Sequence, residues 1–188
     1  MQPITDPMQL FRHQRAVRSF STRPVTDGEL RQVLEAAIHA PSGSNTQPWR
    51  FIVVRDQAVK DAIDVEYRAV QGARGGAAES GPGIMALVPV LIVPCVRVPE
   101  RTGQAGFQTG ASIYPACQNL MLAARILGLG TVLTTSHRIR RAEIHSILGI
   151  PGGFDSAAII PLGWPDRAYG PNRRPPLDEF VSHDRWTE

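Results

Sequence analysis

The residues of this chain able to do chemistry are mostly uncharged hydrogen-bonding groups and guanidinium groups, gathered in a few short runs. The densest is Ala40-Pro-Ser-Gly-Ser-Asn-Thr-Gln-Pro-Trp49, where Ser42, Ser44, Asn45, Thr46 and Gln47 fall within six consecutive positions. A turn that only connects elements needs fewer polar groups, so this loop reads as a contact surface. Arg15 and Arg18 lie three apart where a short helix should end, which lets both approach one phosphate; Arg173-Arg174 forms a second cationic pair. On spacing alone, each pair is more often a solvated surface pair than a binding site. Thr134-Thr-Ser-His137 follows a β-branched run, placing hydroxyls and backbone N–H groups at a strand end where ligands gather. His137 is expected to face solvent, and His39 to sit at a helix end beside the polar loop.

Several chemistries are excluded by what these runs lack. No Ser, Cys or carboxylate is spaced to complete a nucleophilic triad with His137, and there is no His-Glu-x-x-His or other metal-ligand spacing. We therefore assign no catalytic side chain and no metal site. Gly128-Leu-Gly130-Thr does not complete G-x-G-x-x-G and follows a helix rather than a strand, and Gly72 to Gly76 lacks the Lys-Ser/Thr of a P-loop. Cys95 and Cys117 share no redox or metal spacing and are expected to be buried thiols of a cytoplasmic protein. The net charge is only +3, the arginines are scattered and aromatic residues make up 6%, which disfavours a nucleic-acid surface. The apolar run Ile84 to Val96 is too short for a bilayer and broken by Pro89 and Pro94, so no membrane association is expected. The Met1-Gln-Pro-Ile-Thr-Asp start lacks a basic run followed by an apolar stretch, so an export signal is not expected.

The elements that must position these runs follow from periodicity. A short helix is expected from about Pro7 to Gln14. Thr26 and Glu29 form a capping box ahead of Leu30, Val33, Leu34, Ala37 and Ile38, which predicts a helix ending before Pro41. Trp49 to Val54 reads as a strand, Gln57 to about Gln71 as a helix, and Pro89 to Val96 as a buried strand. A long helix is predicted from Gln108 to Leu127, kinked or displaced at its start by Pro115. A strand from Thr131 to Thr135, a helix from Arg141 to Leu148 closed by Gly149, and a strand from Ala157 to Leu162 complete the series. Five glycines between Gly72 and Gly83 suggest a mobile lid. Interleaved strands and helices without a repeat imply one domain, residues 1–188, of three-layer α+β type. The tail from Pro165 carries Leu177, Phe180, Val181 and Trp186 with no core of its own, which suits docking across a partner chain.

Four segments in collinear order, Arg15-Ala-Val-Arg-Ser-Phe20, the Ala40 to Trp49 block, Gly128-Leu-Gly-Thr131 and Pro161-Leu-Gly163, resemble the FMN-dependent nitroreductase family across almost the whole chain. The resemblance implies a central mixed, mainly antiparallel sheet flanked by helices. It also implies a homodimer holding two FMN molecules at the subunit interface, with the tail wrapped onto the partner. Arg15, Arg18 and one of Arg173 or Arg174 would meet the FMN phosphate. Gln14 stands where the family has Arg and Ala16 where it has Ser, so one charge and one hydroxyl are missing from that set. Pro41, Ser42, Gly43 and Asn45 would reach the partner's flavin, and the backbone of Thr134, Thr135 and Ser136 would lie beside its ring.

The implied activity is hydride transfer from NADH or NADPH to the flavin. A nitroaromatic or quinone-type small-molecule acceptor would then be reduced in the same cavity by ping-pong turnover. Alternatives are a reductive dehalogenase or flavin-fragmenting branch of the family, or a non-enzymatic flavin-binding protein.

Overall fold

The computed structural model describes residues 1–73, 81–99 and 106–186. Most of the Gly72 to Gly83 segment, where a lid was expected, lies outside the described residues. The elements run α1 (Pro7–His13), α2 (Asp27–Ile38), β1 (Trp49–Val54), α3 (Gln57–Ala73), α4 (Ile84–Leu87) and β2 (Val90–Arg97). They continue through α5 (Phe107–Ile126), β3 (Gly130–Thr131), α6 (Arg141–Leu148), β4 (Phe154–Ser156) and β5 (Ile160–Gly163). The sheet order is β1-β2-β5-β3, with β4 also on β2, and these pairings are antiparallel.

β2 explains the layering. It is buried along all but its last residue, and its side chains alternate between two cores. Val90, Ile92 and Val96 meet Leu30, Val33 and Ala37 of α2 and Ile113, Ala116, Cys117 and Leu120 of α5. Leu91, Val93 and Cys95 face the other way, toward Ile63 and Tyr67 of α3, Met85 of α4 and Ile144 of α6. The expected three-layer α+β arrangement is thus the observed one. Both cysteines are buried, and burial pushes each thiol up to about 12, far from reactivity. Among the described residues no helix is long and apolar enough to cross a membrane.

Local signals acted where they were strong. Thr26 Oγ1 accepts the Glu29 N–H and the Glu29 carboxylate accepts the Thr26 N–H at 2.8 Å, completing the capping box. Gly149, at φ 63°, closes α6 in the left-handed conformation that glycine adopts freely. α5 runs through Pro115 without ending there.

The last strand differs from expectation in an informative way. Ser156 pairs with Cys95 and Ile160 with Ile92, so four steps on one strand face three on the other, an inserted residue. The Ala157 N–H reaches the Pro94 carbonyl at 2.8 Å. A strand residue's N–H and C=O point the same way, so the N–H that Pro94 lacks falls opposite the bulge. There the ladder is already interrupted. β3 likewise stops at Thr131, and only an isolated bridge between Thr134 and Ile159 continues it. Ile84 to Leu87, at the start of the apolar run that leads into β2, forms one helical turn.

His137 corrects a second expectation, for it is completely buried. Its Nε2 lies 3.0 Å from Ser156 Oγ, which in turn lies 3.1 Å from His145 Nε2. Because the Ser156 N–H also points at His145 Nε2, that nitrogen is the acceptor; Ser156 donates to it, and His137 donates to Ser156. The buried Asp155 beside them takes ion pairs from Arg138 and Arg141 at 3.2 and 2.6 Å and anchors α6 to the sheet. Burial, with the Arg138 cation nearby, lowers His137 to about 4, and burial also lowers His145. The unfolded chain takes up these protons near pH 6.5 and the folded chain does not, so stability falls as pH drops from about 6.5 toward 4. For His137 alone the fall is roughly 3 kcal/mol across that window. Urea titrations at pH 7 and pH 4.5 should show it, and His137→Gln should give a markedly flatter pH dependence.

Candidate functional site

The N-terminal strap is held against the sheet before any site can form. After α1 the chain runs extended, Ala16 makes a parallel bridge with Thr131 of β3, and the Val17 N–H donates to the Thr131 carbonyl at 2.9 Å. Gly130 makes this approach possible, since a Cβ there would lie 2.8 Å from Val17 Cγ1 and 2.9 Å from Pro165 Cγ. Val17 is buried by this contact, whereas Arg15 and Arg18 on either side are exposed.

Two adjoining cavities, of about 570 and 560 Å3, open along this strap. Arg15, Ala16, Arg18, Asn172 and Arg174 line both, which makes their common region strongly cationic. The first continues past Gln14 to Met121 of α5 and to Thr131, Val132 and Leu133, a mostly apolar wall. Arg173 lines only the second. The arginine pairs far apart in sequence are therefore brought together, and Arg174 reaches further into the shared region than Arg173. No carboxylate is among the lining residues of either cavity. The Thr131 Oγ1 is buried and lacks a hydrogen-bond partner among the described residues, a polar atom placed at the wall of an otherwise apolar stretch.

Asn172, which sequence reading missed, is the clip that brings the tail to this place. Its backbone N–H donates to the Arg12 carbonyl at 2.7 Å, and its side-chain amide donates to Phe11 and Gln14 carbonyls at 3.0 and 3.1 Å. These are the carbonyls left over at the end of α1, which need donors from outside the helix. An Asn following a proline was a visible signal, but its partners were not. Beyond it, Leu177, Phe180 and Trp186 are 72%, 67% and 89% exposed, so the tail's apolar anchors find no cover within this chain.

The polar loop lies elsewhere. Ser44, Asn45 and Gln47 have φ of 50°, 54° and 48°, left-handed values uncommon for residues with side chains. The strain is held by the loop's own groups: the Gln47 N–H donates to Ser42 Oγ at 3.0 Å and Thr46 Oγ1 to the Gly43 carbonyl at 2.9 Å. Pro41, Gly43 and Asn45 are exposed and Ser42 is half-buried; Gly43 lines a different cavity that shares no residue with the arginine cavities. Thr134, Thr135 and Ser136 follow the apolar wall without lining it. The Thr134 N–H and Oγ1 both already donate to the Ile159 carbonyl, at 3.1 and 2.8 Å.

Fold and site together define an α+β protein with an elongated cavity, cationic at one end and apolar along its wall. A family model described as "Nitroreductase family" matches residues 11–164, and the chain belongs to that family. A Thermus thermophilus protein named NADH dehydrogenase is 31% identical over 206 residues, covering 95% of this chain and 96% of that one. Human iodotyrosine deiodinase 1 is 27% identical over 193 residues, covering 92% of this chain and 66% of its own. Among solved structures, a putative nitroreductase from Desulfovibrio desulfuricans in complex with FMN superposes with a TM-score of 0.75 at 27% identity. That match covers 98% of this chain and 100% of the other.

If Asn172 clips the tail, Asn172→Ala should remove two side-chain hydrogen bonds and weaken tail attachment by about 1–2 kcal/mol. Limited proteolysis after Pro171 should become several-fold faster, with cleavage elsewhere unchanged.

Proposed function

We propose that this chain is an FMN-dependent oxidoreductase that takes hydride from NADH or NADPH and passes it to nitroaromatic or quinone-type acceptors. It works as a homodimer, in a cytoplasmic setting. The observation that carries the reading is the shape and charge of the strap cavity. Three arginines from two distant segments converge at one end without a carboxylate, while an apolar wall with one unpartnered hydroxyl runs away from them. A phosphate on a ribityl chain ending in a flat ring fits that gradient.

Arg15, Arg18 and Arg174 would hold the phosphate by charge-assisted hydrogen bonds, with Arg173 at the outer rim. Gln14 and Ala16 lie on the same strap and line the cavity; Gln14 supplies hydrogen-bonding capacity where the family has charge, and Ala16 supplies none. Met121, Val132 and Leu133 would exclude water from one ring face, and Thr131 Oγ1 would offer a hydrogen bond at its edge. The backbone of Thr135 and Ser136 continues past that wall, whereas the Thr134 N–H is already committed to the sheet. FMN supplies reversible hydride chemistry, so no side-chain nucleophile is required of the protein.

The strained loop of Pro41, Ser42, Gly43 and Asn45 opens away from the arginine cavities of its own chain. A two-fold partner would bring it to the other subunit's cavity, completing two equivalent sites. Donor and acceptor then use one cavity in turn, which is ping-pong turnover. A dehalogenating role is a second reading, favoured by the iodotyrosine deiodinase relative.

The purified protein should be yellow or bind added FMN, and should oxidise NADH or NADPH steadily with menadione. A colourless protein that takes up no FMN would sink the reading, and deiodination of 3-iodo-tyrosine outpacing menadione reduction would favour the second one. Arg18→Ala should weaken FMN binding by about 1.5–3 kcal/mol, measured by flavin fluorescence titration.

A further inference from the structure

The cavity beside the polar loop, about 520 Å3, carries a charge arrangement that the family reading does not use. Arg50 of β1 stands opposite Cys95, and Arg97 lies two residues further along β2, opposite Phe154. Alternation along β2 puts Arg97 on the same sheet face as Cys95, so Arg50 and Arg97 are diagonal neighbours on one face. Both line the cavity.

Two like charges so placed repel, and a fold that keeps them gains from an anion between them. Among the described residues neither forms an ion pair with a carboxylate. Arg50 Nη1 donates to the Trp49 carbonyl at 3.0 Å, and the Arg97 guanidinium lies 5.1 Å from the Phe154 ring centroid. Stacking on the ring leaves guanidinium N–H groups free to donate.

The rest of the lining comes partly from α5, which packs on the other face of the sheet. Ser112, only 6% exposed, accepts the Gly43 N–H at 3.3 Å, and its own O–H meets no acceptor among the described residues. Gln108 and Thr109 lie in the first turn of the 20-residue helix α5, whose Gly106 cap has no side chain to satisfy the N–H groups there.

We propose that Arg50 and Arg97 form an oxyanion subsite for a carboxylate or phosphate of a molecule entering beside the Gly43 to Gln47 loop, where both line one cavity. Its occupant is an anionic redox partner only insofar as the oxidoreductase reading above holds. The oxyanion has two possible sources, a carboxylate on the acceptor or a phosphate of the nicotinamide donor.

The test uses the protein as purified and the double variant Arg50→Gln/Arg97→Gln, both positions being exposed, with circular dichroism and flavin content as controls. Calorimetric titration with 4-nitrobenzoate and with neutral 4-nitrobenzyl alcohol reads the carboxylate source. KM for NADH against KM for reduced nicotinamide riboside, which lacks phosphate, reads the other. A carboxylate source predicts that the variant binds 4-nitrobenzoate at least about tenfold more weakly and the alcohol within about twofold. A phosphate source predicts the same selective rise in KM for NADH. Unchanged 4-nitrobenzoate binding together with an unchanged KM for NADH overturns the subsite. Selective carboxylate binding without any NADH oxidation keeps the subsite and overturns the oxidoreductase reading instead.

Discussion

The contact on which the site depends is the hydrogen bond from the Val17 N–H to the Thr131 carbonyl, at 2.9 Å, with the Ala16–Thr131 bridge around it. It adds the strap to the open edge of the sheet and so fixes where the residues flanking Val17 can point. Backbone pairing of this kind carries no chemistry, yet it converts the spacing of Arg15 and Arg18 into a geometry. Gly130 is the enabling residue, because any side chain there would push Val17 and Pro165 away. Asn172 then does for the tail what Val17 does for the strap. It joins two segments more than 150 positions apart in the chain through the spare carbonyls of α1.

The polar loop works by a different principle. Its three left-handed residues hold conformations that cost of order 1–3 kcal/mol each in ordinary surroundings, somewhat less for Asn. Ser42, Thr46 and Gln47 turn their hydrogen bonds inward onto the loop backbone, which makes the unfavourable shape the stable one. Such strain has no use in a connector, and the exposed Gly43 and Asn45 are what it presents to the surroundings. The crowding of polar residues between prolines was legible, but the left-handed conformations were not, since only the closed ring of hydrogen bonds selects them.

The same division runs through the fold. The Thr26–Glu29 capping box, the Gly149 stop and the strand Trp49–Val54 depend on neighbours within a few positions, and the sequence shows them directly. The split between β4 and β5 depends on where Pro94 of another strand lacks a donor, which no local window contains. The burial of His137 is similar. A histidine after a Thr-Thr-Ser run looks solvated until Ser156 and His145, from two other elements, close around it. The converging arginines belong to this second kind, and it was the family resemblance, not their spacing, that brought Arg15 and Arg174 into one site.

Charge distribution supplies the last constraint on assembly. The adjoining cavities on the strap share no lining residue with the cationic cavity beside the strained loop. In the homodimer proposed above, a two-fold axis would set the loop of each subunit against the strap of the other, in duplicate. The exposed Leu177, Phe180 and Trp186 of the tail supply apolar area that a lone chain leaves in water, which favours such a pairing. In that arrangement a phosphate end and an oxyanion end would close on one elongated space. Arg174 would hold the resident group at one end, and Arg50 and Arg97 would select the visiting molecule at the other.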